Sequence, residues 1–338
     1  MANLVISNVC NLHCAYCFAR DFLHGADEGP DGAFISEQAF EERLDFLERS
    51  GIEDVRLIGG EPSLHPRFGE LLQRAERRFQ KIVVFSNGIL SDTALAALEA
   101  LPPERLTVMV NLGASRASGD LSEAEQRRRG QALHRLGERV IAAYTIAGAD
   151  FNCDPLVPLI LENGCRKSIR LGLAQPALAG KNAYLHPKQY PVVGKRIVAF
   201  ALRSARAGLR VEFDCGFVRC MFTNEDLEKL AEVDAYTGWR CNAVLDIDLQ
   251  GQISHCFPLA GRFVAAFSPQ VCAAELREGF TAQTKPYRVA GIYKECSTCP
   301  YKLSNQCTGG CLAATLTRFR KASFHFTGKI EEYGFTQD

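Results

Sequence analysis

Three cysteines near the start of the chain have a spacing that suits metal chemistry. Cys10, Cys14 and Cys17 stand in the run Cys-Asn-Leu-His-Cys-Ala-Tyr-Cys. Three thiolates so close together can ligate three irons of a cubane cluster and leave the fourth iron open for a small chelating ligand, whereas a structural cluster is held by four cysteines. A structural zinc site also needs four ligands. The triplet therefore indicates a cluster that does chemistry at its open corner; a partial zinc site or three unrelated core thiols are the alternatives.

A second motif directly follows the apolar segment at residues 55–58. Its members are Gly59, Gly60, Glu61 and Pro62. Glycines after a strand let the backbone approach a ligand closely, and the carboxylate that follows can accept hydrogen bonds from an ammonium group. On its own, the same sequence is also typical of an ordinary turn.

Taken together, the two motifs resemble the Cx3CxΦC and GGEP signatures of radical S-adenosylmethionine enzymes, with Tyr16 at the aromatic position. The resemblance implies a catalytic [4Fe–4S] cluster whose open iron binds the amino and carboxylate groups of S-adenosylmethionine. It also implies that an electron from the cluster cleaves the sulfonium to a 5′-deoxyadenosyl radical, and that the GGEP motif holds the methionine amino group. Protein side chains alone cannot supply such radical chemistry.

Three further residues are candidate cofactor contacts. Ser86 and Asn111 end the third and fourth predicted strands, where the resemblance implies contacts to the ribose or the carboxylate of the cofactor. Both residue types hydrogen-bond well to hydroxyl groups, although turn chemistry is the alternative because an Asn-Gly pair follows Ser86. Arg170, on the sixth predicted strand, could pair with the methionine carboxylate; a solvated arginine is the alternative.

The last third of the chain is rich in cysteine. Eight of its cysteines are candidate metal ligands: Cys215, Cys220, Cys241, Cys256, Cys296, Cys299, Cys307 and Cys311. The third and fourth flank a predicted hairpin that turns at residues 250–251, and the last four form a Cx2Cx7Cx3C run. The pattern resembles a SPASM domain, the auxiliary iron–sulfur extension of peptide-modifying radical enzymes; a zinc ribbon is the alternative. Eight thiols suffice for two fully ligated [4Fe–4S] clusters.

The familiar SPASM pattern closes with one more cysteine, which this chain lacks. The resemblance implies a first auxiliary cluster on Cys241, Cys256, Cys311 and one upstream cysteine, and a second on Cys296, Cys299, Cys307 and a fourth ligand. We predict that Cys215 and Cys220 are both ligands and serve different clusters, with His325 as the second choice for the fourth position. Three thiols are left for the core, or for a hydrogen-atom donor: Cys153, Cys165 and Cys272.

The elements that must position these motifs alternate along the first two thirds of the chain. Apolar runs predict strands at residues 4–7, 54–58, 81–85, 105–110, 140–146 and 167–173, and amphipathic runs predict helices at 36–49, 64–79, 92–101, 122–136, 154–163 and 187–207. Such alternation, which stops after Gly208, predicts an α/β fold with a parallel sheet. The resemblance sharpens this to a partial (β/α)6 TIM-type barrel over residues 1–207, followed by a small SPASM/twitch-like domain over 208–338. In parallel barrels, chemistry takes place at the carboxyl ends of the strands, and every motif above lies there.

Composition excludes several classes of partner. The 39 basic and 39 acidic residues give a net charge of zero, so nothing indicates nucleic acid or an anionic membrane. The basic run at residues 127–129 is interpreted as a solvated helix face. The chain begins without a signal peptide and has no apolar run of membrane-spanning length, so we expect a cytoplasmic protein. Clustered thiols in a reducing compartment are more typical of metal sites than of disulfides.

The resemblance fixes the first chemical step but leaves the substrate open. One hypothesis is a maturase that cross-links, epimerises or oxidises a ribosomally made peptide; the other is a radical dehydrogenase of a small molecule in antibiotic or cofactor biosynthesis. A non-catalytic iron–sulfur carrier would not need the GGEP motif. Because Cys10 lies so near the start, we expect no fused peptide-recognition domain, and a leader would need a separate carrier or an exposed sheet edge. The loop at residues 175–190 is expected to face the substrate, and a flavodoxin- or ferredoxin-type protein is the expected electron donor.

Overall fold

A single ten-stranded sheet organises the chain, in the order β10-β9-β8-β1-β2-β3-β4-β5-β6-β7. The computed structural model describes residues 2–20, 32–114, 119–235 and 238–323. The strands are β1 (Asn3–Ser7), β2 (Asp54–Gly59), β3 (Lys81–Ser86), β4 (Leu106–Asn111), β5 (Val140–Ile146), β6 (Ser168–Leu173), β7 (Arg210–Phe213), β8 (Asp246–Ile247), β9 (Gln252–Ser254) and β10 (Val264–Ala266). Neighbours from β1 to β7 are all parallel and follow chain order, which confirms the predicted parallel sheet.

Helices connect the consecutive parallel strands up to β7, and further helices follow in the C-terminal region. They are α1 (Glu37–Arg49), α2 (Phe68–Arg78), α3 (Asp92–Glu99), α4 (Glu123–Leu136), α5 (Leu156–Glu162), α6 (Tyr190–Arg206), α7 (Asn224–Glu232), α8 (Ala273–Thr284), α9 (Pro300–Leu303) and α10 (Leu312–Ser323). The side chains of Ser36, Ser91 and Ser122 accept hydrogen bonds from the first turns of α1, α3 and α4 and so fix where these helices begin. None of the helices within the described ranges combines the length and apolar character that crossing a membrane requires.

The strands of the barrel bury one face and leave the other for the site. In β4, Leu106, Val108 and Val110 are buried in the core cluster, while the residues between them are only half-buried. Because successive side chains of a strand point to opposite faces, Thr107 and Asn111 lie on the second face. The helices thus cover one side of the sheet, and the polar side chains of the strand ends are presented on the other.

A seventh parallel strand extends the barrel beyond the predicted six. β7 pairs with β6, with Ser168 opposite Arg210 and Leu171 opposite Phe213. The prediction that the alternation ends after Gly208 missed this strand because four residues that include Arg210 and Glu212 carry too weak an apolar signal. The predicted domain boundary at 207/208 falls just before β7 and stays a prediction.

The C-terminal region joins the same sheet. β8 and β9 form the predicted antiparallel hairpin around residues 248–251, where Gly251 has φ +87°. β8 also pairs in parallel with β1, and the Asn3 N–H donates to the Leu245 carbonyl at 3.0 Å. The hairpin is therefore a continuation of the barrel sheet on the side of β1.

Candidate functional site

The cysteine triplet lies in the loop that follows β1. The Cys17 N–H donates to the Cys14 carbonyl at 3.0 Å, and the Leu12 N–H donates to Cys10 Sγ at 3.4 Å. All three thiols are half-buried. Burial raises the pKa of Cys10 to about 12 and that of Cys17 to about 11. A thiolate at these positions therefore needs a compensating positive charge, such as a metal ion supplies on binding.

The two glycines of the second motif bring β2 into backbone contact with this loop. The Gly60 N–H donates to the Ser7 carbonyl and the Glu61 N–H to the Val9 carbonyl, both at 2.8 Å. A Cβ on Gly59 would lie 2.1 Å from the Ser7 carbonyl oxygen, and one on Gly60 would lie 2.3 Å from that of Val9. The close approach that requires glycine is thus between two protein segments, and it fixes the cysteine loop on the end of β2.

The Glu61 carboxylate is buried among hydrogen-bond donors of the protein. It is fully buried and accepts hydrogen bonds from the backbone and hydroxyl of Ser63, from the Ser86 hydroxyl and from the Asn87 N–H, at 2.7 to 3.2 Å. The contact of Glu61 with the amino group of the cofactor stays a prediction. Burial raises the pKa of Glu61. The carboxylate holds the end of β3 against the second motif, and Pro62 starts the buried turn that follows it.

The turn after β3 is tied to the cysteine loop. Ser86 is buried, and its hydroxyl both donates to Glu61 and accepts from the Gly88 N–H at 3.0 Å. The Asn87 amide donates to Asn11 Oδ1 at 2.7 Å. Ser86 is thus joined to the second motif through Glu61. The amide pair of Asn87 and Asn11 connects the end of β3 to the loop that carries the three thiols.

Asn111 and Tyr16 lie on the other side of the loop. The Asn111 amide donates to Thr145 Oγ1 at 3.1 Å, and its oxygen accepts from the Gly113 N–H at 3.2 Å. Tyr16 interacts with Cys14 and Asn111, and burial raises the pKa of its hydroxyl. The structure therefore brings Asn111, Tyr16 and the triplet together at the carboxyl ends of β1 and β4.

Arg170 is paired within the protein. Its guanidinium lies 2.7 Å from the Asp214 carboxylate and 5.9 Å from the centre of the Phe85 ring. The same carboxylate oxygen accepts the Cys215 N–H at 2.7 Å. Sequence reasoning missed Asp214, which lies in a region where no strand was expected. The pair links the end of β6 to the first of the C-terminal cysteines.

Arg129 is a second residue that sequence reasoning missed. The prediction of a solvated face for residues 127–129 is wrong for Arg129, which donates to the carbonyls of Asn87, Leu112 and Ala114 at 3.0 to 3.4 Å. It also interacts electrostatically with Cys14. A signal was available, since Arg129 lies four residues before the buried Leu133 and therefore on the inner face of α4.

The loop after β6 joins the two cysteine-bearing regions. The Ala183 N–H donates to the Ala15 carbonyl at 2.8 Å, and the Asn182 amide donates to the Tyr16 carbonyl at 3.0 Å. The Leu178 N–H donates to the Pro258 carbonyl, also at 3.0 Å. Part of the loop expected to face the substrate thus packs against the cysteine triplet and the C-terminal hairpin.

The eight C-terminal thiols fall into two groups by their mutual electrostatic interactions. The first thiol group consists of Cys215, Cys241, Cys256 and Cys311. The second thiol group consists of Cys220, Cys296, Cys299 and Cys307. Burial raises the pKa of Cys311 to about 12, whereas Cys215 and Cys220 are exposed. The two groups are neighbours, because the fully buried Tyr190 interacts with Cys311 of the first and Cys220 of the second.

Neither thiol group is arranged around a single ion. Within residues 2–20, 32–114, 119–235 and 238–323, no three His, Cys, Asp or Glu side chains are placed to hold one metal ion. A cubane cluster distributes its four thiolates over four irons and so spreads them more widely than zinc does. Cys153 and Cys165 are core thiols, as expected, whereas Cys272 is half-buried at the start of α8. His325 lies outside the described residues.

Comparison with known proteins agrees with this arrangement. The family model described as Radical SAM superfamily matches residues 4–147. The antilisterial bacteriocin subtilosin biosynthesis protein AlbA of Bacillus subtilis is 25% identical over 130 residues, which are 38% of this chain and 27% of that protein. GTP 3′,8-cyclase of Aquifex aeolicus is 30% identical over 112 residues, which are 31% of this chain and 33% of that enzyme. The chain therefore spans about a third or less of the length of these curated relatives.

Solved structures match over nearly the whole chain. anSMEcpe with bound AdoMet has a TM-score of 0.65 at 16% identity and covers 95% of both chains. Streptococcus suis SuiB bound to the precursor peptide SuiA has a TM-score of 0.64 at 16% identity and covers 92% of this chain and 72% of that one. The predicted fold, a partial barrel with a cysteine-rich C-terminal region, is confirmed.

Proposed function

We propose that this chain, whose residues 4–147 match the Radical SAM superfamily model, is a radical SAM/SPASM enzyme that modifies a ribosomally made peptide. The single observation that carries the proposal is the division of the eight C-terminal thiols into two groups of four. A cluster held by four cysteines has no open iron and suits electron transfer. This division therefore supports an enzyme with one catalytic and two auxiliary clusters.

The catalytic cluster would be held by Cys10, Cys14 and Cys17. When bound, cluster and S-adenosylmethionine supply the radical that abstracts a substrate hydrogen atom. The protein's part is positioning: the backbone of Gly59 and Gly60 fixes the cysteine loop. Around the cofactor we place the remaining candidate contacts, directly or through their partners: Tyr16, Glu61, Pro62, Ser86, Asn111 and Arg170.

The donor set of the C-terminal region fits two [4Fe–4S] clusters. The first would lie on the first thiol group and the second on the second, so that Cys215 and Cys220 serve different clusters. His255, next to Cys256, is 1% exposed, and its Nδ1 atom has no hydrogen-bond partner in the described part of the chain. Buried polar atoms normally have partners, and a cluster beside this histidine offers sulfur acceptors. Besides the thiols, the site thus offers the proposed cluster one buried polar atom, Nδ1 of His255.

Three similar proteins support a peptide substrate. AlbA takes part in bacteriocin biosynthesis, SuiB was solved with the precursor peptide SuiA, and anSMEcpe with the peptide Cp18Cys. We propose cross-linking, epimerisation or oxidation of a residue as the reaction, a flavodoxin or ferredoxin as the electron donor, and a separate leader-peptide carrier as a possible partner. The alternative, a small-molecule substrate, is favoured by the similarity to GTP 3′,8-cyclase.

Anaerobic reconstitution followed by substrate assays tests the proposal. We expect about twelve irons per chain, four for each of three clusters, and production of 5′-deoxyadenosine from S-adenosylmethionine under reduction. Short precursor peptides encoded beside the gene, with GTP as the small-molecule comparison, would then be assayed by mass spectrometry. A mass change in a peptide but not in GTP supports the maturase. About four irons per chain, or stoichiometric zinc, would contradict the auxiliary clusters.

A further inference from the structure

A positive charge lies directly against the first thiol group. Arg288 ends the short turn Lys285–Arg288 that follows α8. Its Nη2 atom lies 3.8 Å from Cys241 Sγ, within hydrogen-bond range for sulfur, and its charge also acts on Cys311. In the ranges that the structure describes, no carboxylate lies within salt-bridge distance of Arg288. The positive charge of Arg288 therefore acts on Cys241 and Cys311 without an acidic side chain to offset it in this part of the structure.

Two neighbours besides the thiol, His255 and Thr284, hold the guanidinium in place. The same Nη2 atom lies 3.5 Å from Nε2 of the buried His255, and Nε donates to Thr284 Oγ1 at 3.4 Å. Thr284 is itself fully buried, and its hydroxyl donates to the Phe280 carbonyl at 2.7 Å. The His255 ring packs edge-on against Phe280, with centroids 5.9 Å apart. These contacts come from α8 and from the end of β9, so they fix the arginine from two elements.

The contact with Arg288 determines which ring nitrogen of His255 carries the proton. A guanidinium has donors only, so Nε2 must accept the hydrogen bond and the ring proton must lie on Nδ1. His255 is then neutral and adds no second charge. Its part is to orient Arg288, and the permanent positive charge of the site belongs to the arginine.

The second thiol group lacks a matching contact. Its thiol of Cys307 accepts a backbone N–H from Gly309 at 3.3 Å. Lys302 acts on Cys296, but its ammonium donates to the Val289 carbonyl at 2.8 Å. Within the described residues, a guanidinium in hydrogen-bond contact with a thiol is found only at the first group. The two thiol groups therefore differ in whether an arginine of the described chain hydrogen-bonds to one of their sulfurs.

We propose that Arg288 raises the reduction potential of the auxiliary cluster on the first thiol group. Without this arginine, the same four cysteines would give the cluster a lower potential. The inference rests on the proposed function, since it requires that cluster. Hydrogen bonds to cluster sulfurs and nearby charge are among the factors that set iron–sulfur potentials, because a cation stabilises the more negative, reduced state. Outer partners of this kind tune metal sites without binding the metal.

Redox titration of the reconstituted enzyme, followed by electron paramagnetic resonance, tests this role. The titrations would use the full chain with Cys10, Cys14 and Cys17 replaced by Ala, so that only auxiliary clusters contribute to the signal. We expect Arg288→Gln and Arg288→Met to move one auxiliary midpoint to lower potential and leave the other unchanged. Arg288→Lys, which retains the charge, should shift it less. The matched control is Arg262→Gln, because Arg262 is an exposed arginine beside Tyr287 of the same turn.

The outcomes separate the two proposals. Unchanged midpoints in an iron-loaded Arg288→Gln or Arg288→Met variant would overturn the role of Arg288 and leave the auxiliary clusters in place. An equal shift in the Arg262→Gln control would overturn it as well, since the effect would then not depend on the contact with Cys241. Absence of auxiliary iron in the parent protein would instead contradict the proposed function.

Discussion

The two cysteine-bearing regions are built in opposite ways. Around the triplet, protein hydrogen bonds tie neighbouring elements of the described chain together: Glu61 joins β2 to β3, and Arg129 joins the loops that follow β3 and β4. The C-terminal region places its eight thiols in loops and short turns, outside its strands of two or three residues. Long regular elements with a core hold their shape alone, whereas small cysteine-rich regions gain folding free energy from the metal they bind. We therefore expect a preformed site in the barrel beside a C-terminal region whose folding depends on the proposed clusters.

The largest expected effect separates the chemistry of the two regions. Replacing Cys10, Cys14 and Cys17 by Ala should abolish cleavage of S-adenosylmethionine, because the open iron that chelates it is lost. Iron should fall from about twelve to about eight per chain, since the auxiliary clusters remain. Iron assays and detection of 5′-deoxyadenosine measure both. Continued 5′-deoxyadenosine production would remove the catalytic assignment of the triplet.

Removal of the clusters should distinguish the two regions by their stability. After anaerobic chelation of iron, we expect amides at residues 241–311 to lose protection from hydrogen exchange while those of β2–β5 keep theirs. The reason is that β2–β5 pair with parallel neighbours over four or more residues, whereas the C-terminal strands are only two or three residues long. Mass-spectrometric hydrogen exchange of holo and apo protein provides the measurement. Equal loss in both regions would mean that the barrel also depends on the clusters.

Asp246 lies on β8, where the C-terminal hairpin pairs with β1 of the barrel, and its titration should make the stability of this contact depend on pH. Burial raises its pKa to about 7 from 3.8, although it accepts hydrogen bonds from the Asn3 amide at 2.6 Å and the Phe257 N–H at 2.5 Å. The folded state thus keeps this proton to higher pH than the unfolded state does. The contribution of Asp246 to stability is complete below about pH 4 and is lost as the pH rises to about 7.

Asp246→Asn removes this titration. Relative to the wild type, the variant should gain stability between pH 4 and pH 7, by roughly 3–4 kcal/mol at 1.36 kcal/mol per pKa unit. Anaerobic urea unfolding of both proteins at several pH values would show the difference. A stability difference that does not change with pH would mean that Asp246 is already ionised in the folded protein.

The smallest expected effect concerns the hydrogen bonds that preform the catalytic site. Arg129→Met leaves three carbonyls without their charged donor and should cost about 1–3 kcal/mol of stability. We also expect slower cleavage of S-adenosylmethionine, because the loops after β3 and β4 are released. Arg128→Met is the matched control, since Arg128 is exposed on the same helix. If both variants behave alike, the inward contacts of Arg129 do not stabilise the site.

The sequence predicts what depends on spacing and period, and misses what depends on three-dimensional neighbours. Strands β1–β6, the hairpin and the location of the triplet follow from apolar runs, glycines and cysteine spacing. The partners of Glu61 and Arg170 could not be derived in this way, because Ser86 and Asp214 lie 25 and 44 residues further along the chain. Arg129 was recoverable from helical period alone, but the charged run around it favoured a solvated face.

The parallel pairing of β1 with β8 bears on how the protein is made. The hydrogen bond between Asn3 and Asp246 joins residues 243 positions apart. At typical synthesis rates of about 5–20 residues per second, the partner of β1 leaves the ribosome roughly 12–50 seconds after β1 itself. Throughout that interval the strand that leads into the cysteine triplet has one open edge, and open strand edges pair readily with other chains. Chaperone capture or delayed cluster loading during synthesis would protect the nascent chain until the hairpin closes the sheet.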